Sequence, residues 1–144
     1  MKRPDYVMNW KTANAKDAKR DKGLRAFISK IPKDTFVVYS DRTAMTNDEV
    51  QDIADHGRMF PGRGSMEITG EQSHCHSNVA GLYQAKRVDT IVTGFALSKD
   101  GLWREHTWGL KGGRVVETTE RRVKYFGMVL EKAAALEFVD NEMW

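Results

Sequence analysis

Between residues 90 and 119 the chain specifies its own strand pairing. Thr90 to Leu97 alternates as a strand, Ser98-Lys99-Asp100-Gly101 supplies a turn, and residues 102–110 form a second strand. Lys111-Gly112-Gly113 then turns the chain into a third strand over residues 114–119. Two tight hairpins in succession require an antiparallel meander in any fold this chain adopts. Helices are expected around it. Residues 13–30 carry Leu24, Phe27 and Ile28 at the 3 and 4 spacing of one buried stripe, and Pro32 stops the run. Thr46 or Asn47 caps a second helix with Val50, Ile53 and Ala54 on its apolar side, and Gly57 ends it. Cys75 opens a third helix of about three turns through Val79, Leu82 and Tyr83. Residues 120–138, with Met128, Leu130, Ala133 to Ala135 and Leu136, read as a fourth. Phe36-Val37-Val38-Tyr39 reads as a short buried strand. Pro61-Gly62-Arg63-Gly64-Ser65 reads as a loop that lacks the Lys-Ser or Lys-Thr of a phosphate cradle. The expected class is α+β, with a cysteine-led helix packed on a small antiparallel sheet.

At 144 residues, 40% apolar and 30% charged, the chain has the composition of one globular unit able to bury a core without disulfides. A single cysteine and no long apolar run make a cytoplasmic setting the expectation, with no membrane partner. Charge is divided unevenly. Residues 1–33 hold ten Lys or Arg against three Asp, a balance of +7, so the rest of a +3 chain carries −4. The chain is therefore read as a basic N-terminal helical segment, 1–33, followed by an α+β unit, 34–144. The basic segment, with Tyr6 and Trp10 interleaved, suits contact with nucleic acid or an acidic protein, although a solvated helix face is the favoured reading. That contact defines the alternative function, a small binding protein without catalysis.

The chemistry concentrates in Gln72-Ser73-His74-Cys75-His76-Ser77-Asn78, which holds the only cysteine and two of the four histidines. His106 follows in the second meander strand, and Glu117 lies one hairpin later. Cysteine, histidine and acid in this order suit a thiol that attacks acyl carbon, because a helix N-terminus and a nearby imidazolium both favour the thiolate. The hairpin gives a geometric test. With Lys111-Gly112 as the turn, His106 pairs directly with Glu117; with Gly112-Gly113 as the turn, Glu117 lies diagonally from His106 on the same face. A three-residue turn sets them on opposite faces. His74 and His76 invite a metal reading, but residues two apart share a face only on a strand, and a zinc site needs a distant ligand such as His56 or His106. The sequence is read as carrying neither metal nor cofactor.

The segment from about residue 70 to 125 resembles the core shared by papain-like and transglutaminase-like cysteine enzymes. Cys75 begins a helix, His106 lies in the strands that follow, and Glu117 comes a hairpin later, where these families more often have Asp or an amide. Gln72 resembles the upstream glutamine that papain-like enzymes use to hold an oxyanion. The resemblance implies a cysteine-dependent acyl hydrolase or acyltransferase acting on amide, peptide, glutamine side-chain or isopeptide bonds of a peptide or protein substrate. It implies Cys75 as nucleophile, His106 as base, Glu117 as orienting acid and Gln72 as oxyanion donor. His76, Asn78, Trp103 and Trp108 are the expected substrate contacts. The two tryptophans lie on opposite faces of one strand, so only one of them can serve in a given groove.

Overall fold

A computed structural model of the chain describes residues 6–8, 22–39, 46–72 and 74–143. Among these residues the architecture is mixed α+β, with four helices and a curled, largely antiparallel sheet. The meander forms as expected: β5 (Thr90–Leu97), β6 (Leu102–Lys111) and β7 (Arg114–Glu117). β6 pairs β7 with Lys111 opposite Arg114 and Gly109 opposite Val116, so Gly112-Gly113 is the turn, both at positive φ. Of the three registers considered, this is the diagonal one.

Four strands lie outside the sequence reading. β1 (Tyr6–Met8) pairs antiparallel with β2 (Phe36–Tyr39), within the segment expected to be a helical arm. β3 (Arg58–Pro61) and β4 (Met66–Glu67) flank the glycine loop. β8 (Lys124–Val129) replaces the first part of the helix expected over 120–138. Tyr125 and Phe126 there pack on opposite faces, and Met128 pairs with Thr93 of β5. The helices are α1 (Lys22–Ile28), α2 (Asn47–His56), α3 (Cys75–Gln84) and α4 (Lys132–Met143). Thr46 caps α2, its hydroxyl oxygen accepting from the Glu49 N–H at 3.2 Å. The expected helix over 13–21 and Trp10 lie outside the described residues.

The sheet runs β1-β2-β6-β5-β8-β3, and β7 branches from β6 to pair with β4. Its curl buries Phe60 of β3 with Val115 of β7, Trp108 of β6 and Tyr125 of β8 on one inner face. Gly62 to Ser65 link β3 to β4 and so close the curl. Gly62 donates to the Val123 carbonyl at 3.0 Å, and a β-carbon on it would meet the carbonyls of Arg122 and Val123. This loop needs its glycine for a close backbone approach.

The outer face carries the helices. Phe27 of α1 stacks on Phe95 at 4.2 Å between ring centroids and meets Trp103 and Phe126 edge-on, while Leu24, Val50 and Ile53 complete the cluster. α1 thus shares a core with β2, β5 and β6, and the expected boundary at residue 33 does not divide it from the rest. α3 and α4 pack on the same outer face through Val79, Ala80, Ile91, Ala135 and Val139. Among the described residues no helix is long and apolar enough to cross a membrane.

One detail of the sheet positions the site. β5 occupies one edge of β6 along Trp103 to Leu110, but the other edge is shared. β2 takes it at Leu102 and Trp103, and β7 at Gly109 to Lys111, so that among the described residues no strand pairs with the stretch from Arg104 to Trp108 on that side. α3 packs against β6. Its first turn reaches around the open stretch: Cys75 hydrogen-bonds His106, whose ring stacks with Trp108 and Tyr125 of the inner face, while His76 Nε2 lies 3.4 Å from Thr107 Oγ1 on the outer one.

Candidate active site

Glu117 is fully buried at the end of β7. A carboxylate there must be matched by donors, and five converge on it. His106 Nε2 lies 2.8 and 3.0 Å from its two oxygens, and the Tyr125 hydroxyl donates at 2.8 Å. The backbone N–H groups of Thr118 and Thr119 donate at 3.0 Å each, and the Thr119 hydroxyl donates at 3.2 Å. Burial raises the carboxyl pKa, but the hydrogen bond and charge of His106, with Thr119 and Tyr125, outweigh it and hold the group below its ordinary 4.5. An ionised carboxylate accepts only, so Nε2 of His106 carries the proton that it donates to Glu117, and Nδ1 is left for the sulfur.

Cys75 is partly exposed and sits between two imidazoles, hydrogen-bonded to both His106 and His76. Burial works against the thiolate, yet the two hydrogen bonds and the two positive rings prevail and bring the thiol from 9.0 to about 6. The imidazoles respond in the opposite sense. Burial lowers His106, but its bonds to Cys75 and Glu117 raise it overall. His76 is raised first by its bond to Cys75, against burial, with help from the charges of Cys75 and Glu142. Its Nδ1 lies 3.6 Å from Glu142 Oε1, and its ring stacks on Phe138 of α4 at 5.6 Å. The thiol therefore meets two imidazole–carboxylate pairs, one buried beneath the sheet edge and one half-exposed against α4.

Local sequence explains the helix start. His74 occupies the N-cap position without a side-chain capping bond, its Nδ1 lying instead 2.8 Å from the Gln72 carbonyl. The first-turn N–H groups of α3 are left uncapped around Cys75, where they favour negative charge on sulfur or on an adjoining oxygen. Gln72 is exposed in the turn just before them.

The other expected contacts fall differently. Trp103 has no exposed surface and donates from Nε1 to Thr35 Oγ1 at 2.9 Å, so it is core and not a substrate contact. Trp108 is equally buried; its ring stacks beside His106 at 6.1 Å and packs on Tyr125 at 4.9 Å, which fixes the imidazole from behind. Asn78, also expected at the substrate, spends its amide on the chain: Oδ1 accepts from Glu71 N–H at 3.1 Å, and Nδ2 donates to the Glu71 carbonyl and to Thr118 Oγ1. It fastens the turn bearing Gln72 to the end of β7. His76 does reach the site, but beside the sulfur. Tyr125, Thr118 and Thr119 were not foreseen; the Thr118-Thr119 pair directly after Glu117 was the available signal. Among the described residues no three His, Cys, Asp or Glu side chains converge to hold a metal ion.

No protein-family model, curated protein or solved structure matches the chain.

Proposed function

We propose that the protein is a cysteine-dependent acyl hydrolase or acyltransferase working through a Cys75 thioester. The observation that carries this is the placement of the Cys75 thiol beside the His106 imidazole, whose far nitrogen is held 2.8 Å from the buried Glu117 carboxylate. In the proposed sequence the thiolate adds to the acyl carbon, and the uncapped amides at the start of α3, with Gln72, receive the charge that develops on oxygen. Imidazolium His106 gives its proton to the leaving amine as the carbon–nitrogen bond breaks, which leaves a thioester. Water or an amine then attacks, His106 takes the attacker's proton, and the thiolate departs. Glu117 keeps the ring oriented and favours its charged form throughout. The papain-like or transglutaminase-like character of the fold, and a peptide or protein as acyl donor, belong to this proposal.

Incubation with an activated ester such as p-nitrophenyl acetate tests it. Intact mass should show one acetyl group on the wild-type protein, released over time, and none on Cys75→Ala. That variant should melt within about 1 kcal/mol of wild type, since a small side chain replaces a partly exposed one. Acetylation that persists in Cys75→Ala refutes the assignment.

A further inference from the structure

Beside the thiol, a groove of about 520 Å³ runs over the outer face of the sheet between α2 and α4. Ile53, Met128, Leu130 and Phe138 contribute its apolar surface. Among the described residues, the charged side chains that line it are Glu49 and Asp52 from α2, Glu105 from β6, and Glu137 and Glu142 from α4, with no Lys or Arg beside them. Residues 34–144, from which the groove is built, hold 13 Lys or Arg against 17 Asp or Glu, so a lining of acids alone is more one-sided than their composition. His76 also lines it while hydrogen-bonding the Cys75 sulfur, so groove and nucleophile share a wall. The size suits two or three residues of an extended segment, and low-dielectric walls of one sign concentrate ligands of the other.

We propose that this groove receives a cationic side chain of the acyl substrate, a Lys or Arg adjoining the bond that Cys75 attacks, with its methylenes on the apolar floor and its charge among the carboxylates. The proposal rests on the reading of Cys75 as nucleophile, and the test separates the two. N-chloroacetyl amides of lysine, norleucine and glutamate differ in charge at one position and alkylate a thiolate by displacing chloride. The lysine reagent should modify Cys75 about tenfold faster than the norleucine one at low salt, and the glutamate reagent slowest, with the preference shrinking as salt rises. In Asp52→Asn/Glu137→Gln, whose side chains are both exposed in the wild type, the lysine-to-norleucine ratio should fall toward one. Equal rates for the three reagents alongside rapid labelling by iodoacetamide overturn the groove assignment alone, as does a ratio unchanged in the double variant. Slow labelling by iodoacetamide at neutral pH overturns the nucleophile reading and this proposal with it.

Discussion

His76→Ala isolates the second imidazole, because the ring is half-exposed and its loss leaves the buried His106–Glu117 pair untouched. A thiol at about 6 is roughly nine-tenths thiolate at neutral pH, against roughly one-hundredth for one at 9.0. That difference is about 4 kcal/mol of preference for the charged sulfur, drawn from two rings against the cost of burial. A hydrogen bond to a charged partner is worth about 1.5–3 kcal/mol, so deleting one of the two should raise the midpoint of the alkylation profile by about 1–2 pH units. Intrinsic nucleophilicity rises with basicity, with a slope of about 0.4–0.5, so the variant's plateau should be several-fold higher. Iodoacetamide rates followed across pH should therefore cross near neutrality, His76→Ala slower below and faster above. Coincident profiles show that His76 contributes nothing to the thiolate, and a wild-type midpoint near 9 removes the basis of the argument.

His106→Ala should lose about 3 kcal/mol in urea unfolding, because Glu117 keeps four of its donors but stays buried without a cation, whereas Cys75→Ala should not. The His106–Glu117 pair also sets a pH signature. Glu117, held below its ordinary 4.5, gives stability that is present above that value and lost as pH falls through its folded pKa. His106, raised above its ordinary 6.5, gives stability that is present below that value and lost as pH rises through its folded pKa. The gap in unfolding midpoint between wild type and Glu117→Gln should be widest between these ordinary values and narrow on either side; a gap constant with pH contradicts the pairing. A chain starting at Asp34 should aggregate, since removing Phe27 alone from its aromatic cluster costs about 3–5 kcal/mol; a soluble, cooperatively melting product disproves the shared core.

The meander was legible because strand alternation has a period of two and glycines mark its turns, but Lys111-Gly112-Gly113 allows three registers, two of which set His106 and Glu117 on one face, and only the structure selects the diagonal one. Cys75 at a helix start was legible for a similar local reason. β8 was not. Met128, Leu130, Ala133 to Ala135 and Leu136 read as one helical apolar set on either side of Glu131-Lys132, and only pairing with β5 and β3 tells that Tyr125 to Val129 is extended. Losing β8 hid Tyr125, and with it one of the five donors on Glu117. β1 was hidden by its basic surroundings, since pairing with β2 is a tertiary fact with no local mark. Aromatic type alone does not distinguish a groove wall from a core at Trp103 or Trp108; both are buried because helices cover one face of β6 and the closed curl covers the other.

The open stretch of β6 has a consequence for the life of the chain before it is folded. Sulfur and imidazole belong to different layers, separated by 31 positions and joined by side-chain contact, with no strand pairing between their elements. Until α3 seats at that edge, Cys75 is an ordinary thiol, mostly protonated and slow to oxidise or to attack other proteins. On the proposed reading, the reactive sulfur is withheld from the nascent polypeptide and appears on docking of the helix, so its alkylation rate reports the seating of α3 on β6, and any opening of that seam silences it again.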